Sequence, residues 1–262
     1  MATAYERVRI ARGAKRPTGI DYLQNVFHGF FELHGDRRYA DDPAIVGGLA
    51  WLGAVPVTVL AIEKGHTAKE RIQRGFGAPQ PEGYRKALRL VRQAEKFHRP
   101  VVCFVDTSGA GCNVGAEERG QGEAIAECLT TMSALQTPVL SILIGEGGSG
   151  GALALAAGDR VWMLENAVYS VISPEGCATI LWKDAAKAEQ AAEELKLTAD
   201  DALALGVVES VIPEAGLGEP EFYDALAQRL MREIDALTEM PIQELLSARY
   251  ARFRRFGGEA QA

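Results

Sequence analysis

Gly145-Glu146-Gly147-Gly148-Ser149-Gly150-Gly151 packs five glycines into seven residues. An apolar run, Val139 to Ile144, precedes it, and an Ala/Leu-rich segment, Ala152 to Ala157, follows. That order predicts a buried strand, a tight glycine turn and a helix. Glycines at such a turn let the backbone approach a ligand and leave N–H groups free to point at it. The first amides of a helix lack intrahelical partners and sit at the positive end of its dipole, so the place favours an anion or an oxyanion.

Three motifs overlap there. Gly145, Gly147 and Gly150 satisfy the dinucleotide fingerprint G-x-G-x-x-G, with Glu165 after the next strand. The turn lies past mid-chain, however, and Glu165 comes sooner than the usual spacing of roughly 20 residues. Gly147 to Gly151 also satisfy G-x-S-x-G, the nucleophile elbow. A hydrolase of that kind takes its histidine from beyond the serine, and all four histidines (His28, His34, His66 and His98) lie upstream. Close packing of a helix on a sheet is the bland reading, and it asks for fewer glycines. The remaining reading is an oxyanion hole of backbone amides, which needs two donors aimed at one oxygen, usually from two turns. A second turn is present: Pro100 to Val105 reads as a strand ending in Asp106-Thr107-Ser108-Gly109-Ala110-Gly111. One helix separates the two turns, so their strands are expected to be neighbours.

Composition sets the bounds. The chain has 262 residues, 47% of them hydrophobic and 24% charged, which is ordinary for a globular protein. A net charge of −7 argues against general nucleic-acid binding. No apolar run approaches the ~18 residues of a membrane span, and the first 16 residues lack the apolar centre of a secretory signal. The cysteines, Cys103, Cys112, Cys128 and Cys177, form no Cys-x-x-Cys, so no zinc ribbon is expected in this chain. Cys103 and Cys128 read as small core residues, and a cytoplasmic location is the simplest expectation.

Along the chain, residues 1–17 read as a loose arm or short helix. Thr18 to Leu33 has helical spacing, with Thr18 and Asp21 as N-cap and N3 acid. Ile45–Leu52 and Val55–Ile62 form a hairpin around Gly53. A basic loop with Lys64, His66, Lys69 and Arg71 leads to a helix from Pro81 to Phe97. Glu117–Leu135 reads as one helix. Arg160–Leu164 and Ala167–Ile172 are strands, and Ser173 caps a helix. Ala185–Leu195 and Thr198–Leu205 are helical, Val207–Ile212 is the last strand, and residues 220–256 form two C-terminal helices. Strands alternating with helices imply an α/β fold with a largely buried sheet. A single domain spanning residues 1–262 is expected.

Six segments then carry a resemblance. They are His34-Gly35-Asp36-Arg37, Ile45-Val46-Gly47-Gly48, Pro81 to Ala87, Gly115 to Gln121, the glycine turn itself, and Ser170 to Cys177. In this order they resemble the alpha subunit of the carboxyltransferase component of bacterial acetyl-CoA carboxylase, over about residues 17–212. The resemblance implies a crotonase-like (ClpP/crotonase) spiral of ββα units. It implies an α/β heterodimer, usually α2β2, that transfers a carboxyl group from biotin on a carrier protein to acetyl-CoA, giving malonyl-CoA. It places a zinc ribbon in the beta subunit. Two oxyanions develop in such a transfer, and this subunit is expected to supply amides for the one on biotin.

The favoured donors are Gly147 and Gly148, completed by Gly109 and Ala110, with Gly150 and Gly151 as alternatives. Weaker substrate-binding expectations fall on Lys64 and Arg71, for CoA phosphates or the carrier, and on Ser173, Pro174 and Glu175. Those last three read first as an N-cap with Pro at N1. Arg119 is expected to form a buried pair that holds its turn. Many relatives carry Tyr-Pro-Gly after the second turn, where this chain has Gly111-Cys112-Asn113. The competing function is a stand-alone crotonase-type hydratase or decarboxylase, with Glu117 or Glu118 as acid/base. A scaffold that binds the carrier without turnover is the third.

Overall fold

The computed structural model describes residues 2–257. The chain opens with α1 (Ala4–Ala11) and α2 (Gly19–Val26). The Thr18 amide donates to the Asp21 carboxylate at 2.6 Å, as the capping pattern predicts. The predicted helix to Leu33 stops early, because Phe27 is extended and Gly29 takes φ +62°. His28–Glu32 is instead an edge strand, β1, paired with β2 (Ile45–Leu52). Gly48 permits that pairing, since a Cβ there would overlap the Phe31 carbonyl. The β2 hairpin to β3 (Val55–Ile62) has the predicted bounds, with Gly53 at φ +58°.

After α3 (Ala68–Gln73) and a short 3-10 turn come α4 (Pro81–Lys96), with Pro81 at its first turn, and β4 (Val101–Thr107). The predicted helix from Glu117 is two helices, α5 (Val114–Glu118) and α6 (Gln121–Ala134), broken where Gly120 adopts φ +80°. Next come β5 (Val139–Gly148), α7 (Ser149–Leu153), β6 (Arg160–Leu164), β7 (Val168–Ser170), α8 (Pro174–Trp182), α9 (Ala188–Glu194), α10 (Ala199–Ala204) and β8 (Ser210–Ile212). The helices α11 (Pro220–Thr238) and α12 (Ile242–Arg254) end the described chain. None of the described helices is long and apolar enough to cross a membrane.

All eight strands belong to one sheet, ordered β1-β2-β3-β4-β5-β6-β8, with β7 paired to the end of β5. The first three strands are antiparallel and the rest parallel. Helices cover both faces. Gly47 and Leu60 meet Leu90 of α4, whereas Gly19 of α2 lies against Ala61, and successive strand residues point to opposite faces. Every residue of β4 is buried, and so is β5 as far as Gly145, which is why residues 101–105 and 139–144 read as near-continuous apolar runs, with Ser141 the one polar residue.

Candidate active site

The glycine stretch is not a turn throughout. Strand β5 runs on through Gly145 to Gly148, and α7 starts at Ser149. The two extra residues are absorbed by a bulge: Val105 pairs with Leu143, but Thr107 pairs with Gly147. A bulge bends a strand and re-aims the residues beyond it. Its freed backbone groups are bonded. Arg16 Nε donates to the Ile144 carbonyl at 2.7 Å, and the Glu146 amide donates to Asp106 Oδ1 at 2.7 Å. The Asp106 carboxylate fills the space a Cβ on Gly145 would need.

This geometry presses the two turns together. A Cβ on Gly148 would overlap the Ser108 carbonyl, and one on Gly151 would lie 2.5 Å from the Ala110 nitrogen. From the other side, Tyr84 of α4 donates its hydroxyl to the Gly151 carbonyl at 3.1 Å. Backbone packed on backbone is what an amide-lined site requires.

The amides divide into engaged and unengaged. Gly109 N–H donates to Thr107 Oγ1 at 3.0 Å, and Glu146 N–H is held by Asp106. Gly147 is paired to Thr107 on one side and Tyr169 on the other, so its backbone belongs to the ladder; Gly148, at the strand's end, is paired with Ser170. The Ala110 amide has no acceptor among the described residues. Gly150 and Gly151 open α7, whose N-cap, Gly148, has no side chain to cap them.

Charged groups brace the end of β5. Lys64 Nζ sits 2.5 Å from Asp106 Oδ1 and 3.2 Å from Glu146 Oε2. Burial alone would lower the Lys64 pKa, but the two carboxylates hold it above the usual lysine value. Arg12, which caps α1, donates to Glu146 at 2.8 Å and to Glu175 at 2.7 Å. The Arg12 hydrogen bond is the main reason the Glu175 carboxyl titrates below its ordinary range.

With this arrangement in view, residues 1–257 match the family described as acetyl co-enzyme A carboxylase carboxyltransferase-like. The chain belongs to that family. The alpha subunit of acetyl-coenzyme A carboxylase carboxyl transferase from Ruminiclostridium cellulolyticum is 57% identical over 255 residues, covering 97% of this chain and 98% of that one. A relative in Natranaerobius thermophilus, described as subunits beta/alpha, is 53% identical, and the match covers 97% of this chain but 43% of that longer one. Among solved structures, a chain of the Pseudomonas malonate decarboxylase hetero-tetramer superposes with a TM-score of 0.72 at 18% identity, covering 91% of this chain and 98% of that one. A transcarboxylase 12S chain gives 0.68 at 20% identity, covering 84% of this chain and 42% of that one. The fold is the crotonase-like one the family resemblance implies.

Within the family's frame, Ser173 does cap α8: its Oγ accepts the Gly176 amide at 3.1 Å, with Pro174 at N1. Ser173 and Pro174 also line a narrow groove with Gly147 and Gly148. Lys64 is engaged by carboxylates, and Arg71 lines a neighbouring cavity while its Nε donates to the Gly65 carbonyl. Arg119 pairs with the buried Glu82 at 2.6 Å, and the side chain of Arg119 itself is part-exposed. Glu117 and Glu118 are exposed and line neither cavity, so the acid/base pair of a stand-alone hydratase is not assembled. Ser149 takes φ +52°, as a nucleophile elbow would, yet no histidine lines its surroundings. Gly111 donates to the Pro79 carbonyl, and Asn113 caps α5, so the divergent segment is tied down locally.

Sequence reading missed Asp106, Tyr84, Arg12 and Arg16. Asp106 carried a signal, a carboxylate at the end of an apolar strand just before a glycine turn. The two arginines lie in a polar arm without periodicity, and nothing local announces them. Burial pushes the thiols of Cys103 and Cys128 up to about 12, so both are inert core groups.

Proposed function

We propose that this chain is the alpha subunit of an acetyl-CoA carboxylase carboxyltransferase. With a beta subunit it transfers a carboxyl group from biotin on a carrier protein to acetyl-CoA, giving malonyl-CoA for fatty acid synthesis. The observation that carries this reading is the backbone contact between the two turns, which sets Gly148 against Ser108 and Gly109, and Gly151 against Ala110. The groove beside them has Val8, Ile172 and Leu197 as apolar walls. Bound there, biotin supplies the carboxyl group and a ureido oxygen that gains negative charge. The amides of this chain hold that oxygen. Gly147, favoured with Gly148 on sequence grounds, is paired in the ladder as Gly148 is, and the Gly109 amide donates to Thr107 within its own turn.

Preorganised donors act without reorganising during reaction, and removing one typically costs about 3–4 kcal/mol of transition-state stabilisation. Asp106, Lys64 and Glu146 keep the bulge in place, so they orient the donors without touching substrate. The reading places zinc and the second oxyanion hole in the beta subunit, an α2β2 assembly in the cytoplasm, and no metal in this chain.

The test is reconstitution. The purified chain, a beta subunit and a carrier whose biotin has been carboxylated beforehand are combined in all pairings with acetyl-CoA, and malonyl-CoA formation is measured. Product is expected only with all three. Product from this chain and carrier alone sinks the two-subunit reading, and none from the full set sinks the function.

A further inference from the structure

Two spaces meet at the end of β5. One is a cavity of about 240 Å³ beside Arg16, Lys64 and Arg71. The other is the groove along Gly147, Gly148, Ser173 and Pro174, of about 30 Å³. The groove holds a water or two, of roughly 10–15 Å³ each by this measure, and no fused ring. Both spaces are lined by Arg12, Ser108 and Glu146, so the Arg12–Glu146 pair stands between them.

Arg12 also ties the groove's two walls. Its Nε donates to Glu146 on β5, and its Nη1 donates to Glu175 in the first turn of α8. It sits on the C-cap of α1. That helix rests on a small apolar cluster of Ala4, Val8, Ala11, Val168, Ala192 and Leu197, separate from the main core. A short element on a satellite cluster opens more readily than the core does. The side chains of Arg12 and Glu175 are about a third exposed, 34% and 36%, and exposed ion pairs are weak; Glu146, at 12%, is the more buried partner, so the Glu175 contact gives first. If Arg12 withdraws, Glu146 keeps its bond to Lys64, so the strand end stays in place.

We propose that Arg12 is a latch: its guanidinium closes the groove between Glu146 and Glu175, and its withdrawal joins groove and cavity into one channel that admits the biotin ring. This rests on the function proposed above. A closed majority state weakens apparent affinity by the fraction that is open. Releasing the latch therefore tightens binding while loosening α1. A purely structural role predicts the opposite sign for binding.

The experiment uses the assembled alpha/beta complex with three variants, Arg12→Met, Arg12→Lys and Glu175→Gln. Calorimetry with biotin methyl ester reads affinity, and hydrogen exchange reads α1. Arg12→Met is expected to bind about fivefold tighter and to exchange faster in α1, with exchange in β4 and β5 unchanged. Arg12→Lys, a point charge that engages one carboxylate at a time, falls between it and the parent. Glu175→Gln shifts the same way by less. Equal or weaker binding by Arg12→Met, with the core intact, overturns the latch while leaving the function standing. No binding by the parent or any variant overturns the biotin site itself.

Discussion

At Gly148 one methyl group is too many. Its Cβ would overlap the Ser108 carbonyl and lie 2.8 Å from the Gly109 nitrogen, both backbone atoms that move only with the whole turn. Two positions on, a Cβ at Gly150 would meet only Ile125 Cγ2, at an ordinary 3.7 Å. The two glycines look alike in sequence and differ in what surrounds them. Gly148→Ala is expected to cost about 1–3 kcal/mol through overpacking and to cut turnover by about 10²–10³, the typical loss when one oxyanion donor is misplaced. Gly150→Ala is expected to leave the thermal midpoint unchanged or raise it, since alanine is the better helix former by about 1 kcal/mol. Thermal unfolding of the two variants side by side checks the pair. Equal destabilisation would mean that the contact with Ser108 is not what singles out Gly148. The tightness of the glycine stretch was thus legible from its composition. Which amides remain unengaged was not, because that depends on Thr107, Asp106 and β7, which reach the site from elsewhere.

Among the elements, α12 shows what a linear reading hides. Arg249 is fully buried and donates to both oxygens of Asp159, each at 2.8 Å, and to the carbonyls of Met132, Leu135 and Thr137. It pins the last helix to the end of α6 and the start of β5. Removing one partner of a buried pair costs about 3–5 kcal/mol, because the other charge is stranded. Arg249→Ala is therefore expected to lower the thermal midpoint by roughly 10 °C, at about 2–4 °C per kcal/mol for a chain of this size. Arg249→Ala with Asp159→Asn should recover part of the loss; no recovery would assign the cost to packing instead. In sequence, a lone arginine on a helix with other arginines reads as surface. The β2–β3 hairpin was legible to the residue because Gly53 stands between two apolar runs. Strand β1 was not, because Phe27, Phe30 and Phe31 happen to fall at helical spacing while the strand itself is only partly buried. Arg249 and β1 are hidden for one reason: local spacing carries no information about the partner that decides an element's fate.

Across the whole molecule, ion pairs stitch the N-terminal segment to distant parts of the chain. Arg16 donates to the Ile144 carbonyl and, at 3.0 Å, to Glu214, whose carboxylate also accepts two bonds from Asn166. Burial would raise the Glu214 pKa, but Arg16 and Asn166 hold it below the ordinary value of 4.5. Burial likewise opposes Asp41, yet Lys86, the Gly35 amide and His34 bring it to about 2. In each case the folded carboxyl is the stronger acid. The unfolded chain therefore binds more protons as the solution is acidified, and stability falls with pH. Their contribution is complete above about pH 4.5 and is lost as pH falls through the folded values, reaching to about 2 for Asp41. Glu214→Gln should be less stable than the parent at pH 7, and the gap should narrow steadily below pH 4.5 as the parent's own carboxylate is neutralised. Denaturant unfolding from pH 7 to 3 measures that gap. A gap that stays constant over the range would show that Glu214 contributes through shape and hydrogen bonding, with its charge immaterial. The same titration bears on the site, because the Arg16 side chain that grips Glu214 also satisfies the bulge behind Gly147 and Gly148. Acid that releases Glu214 loosens the support of the glycine strand, so turnover is expected to fail before global unfolding, at a pH where the far-UV signal is still native.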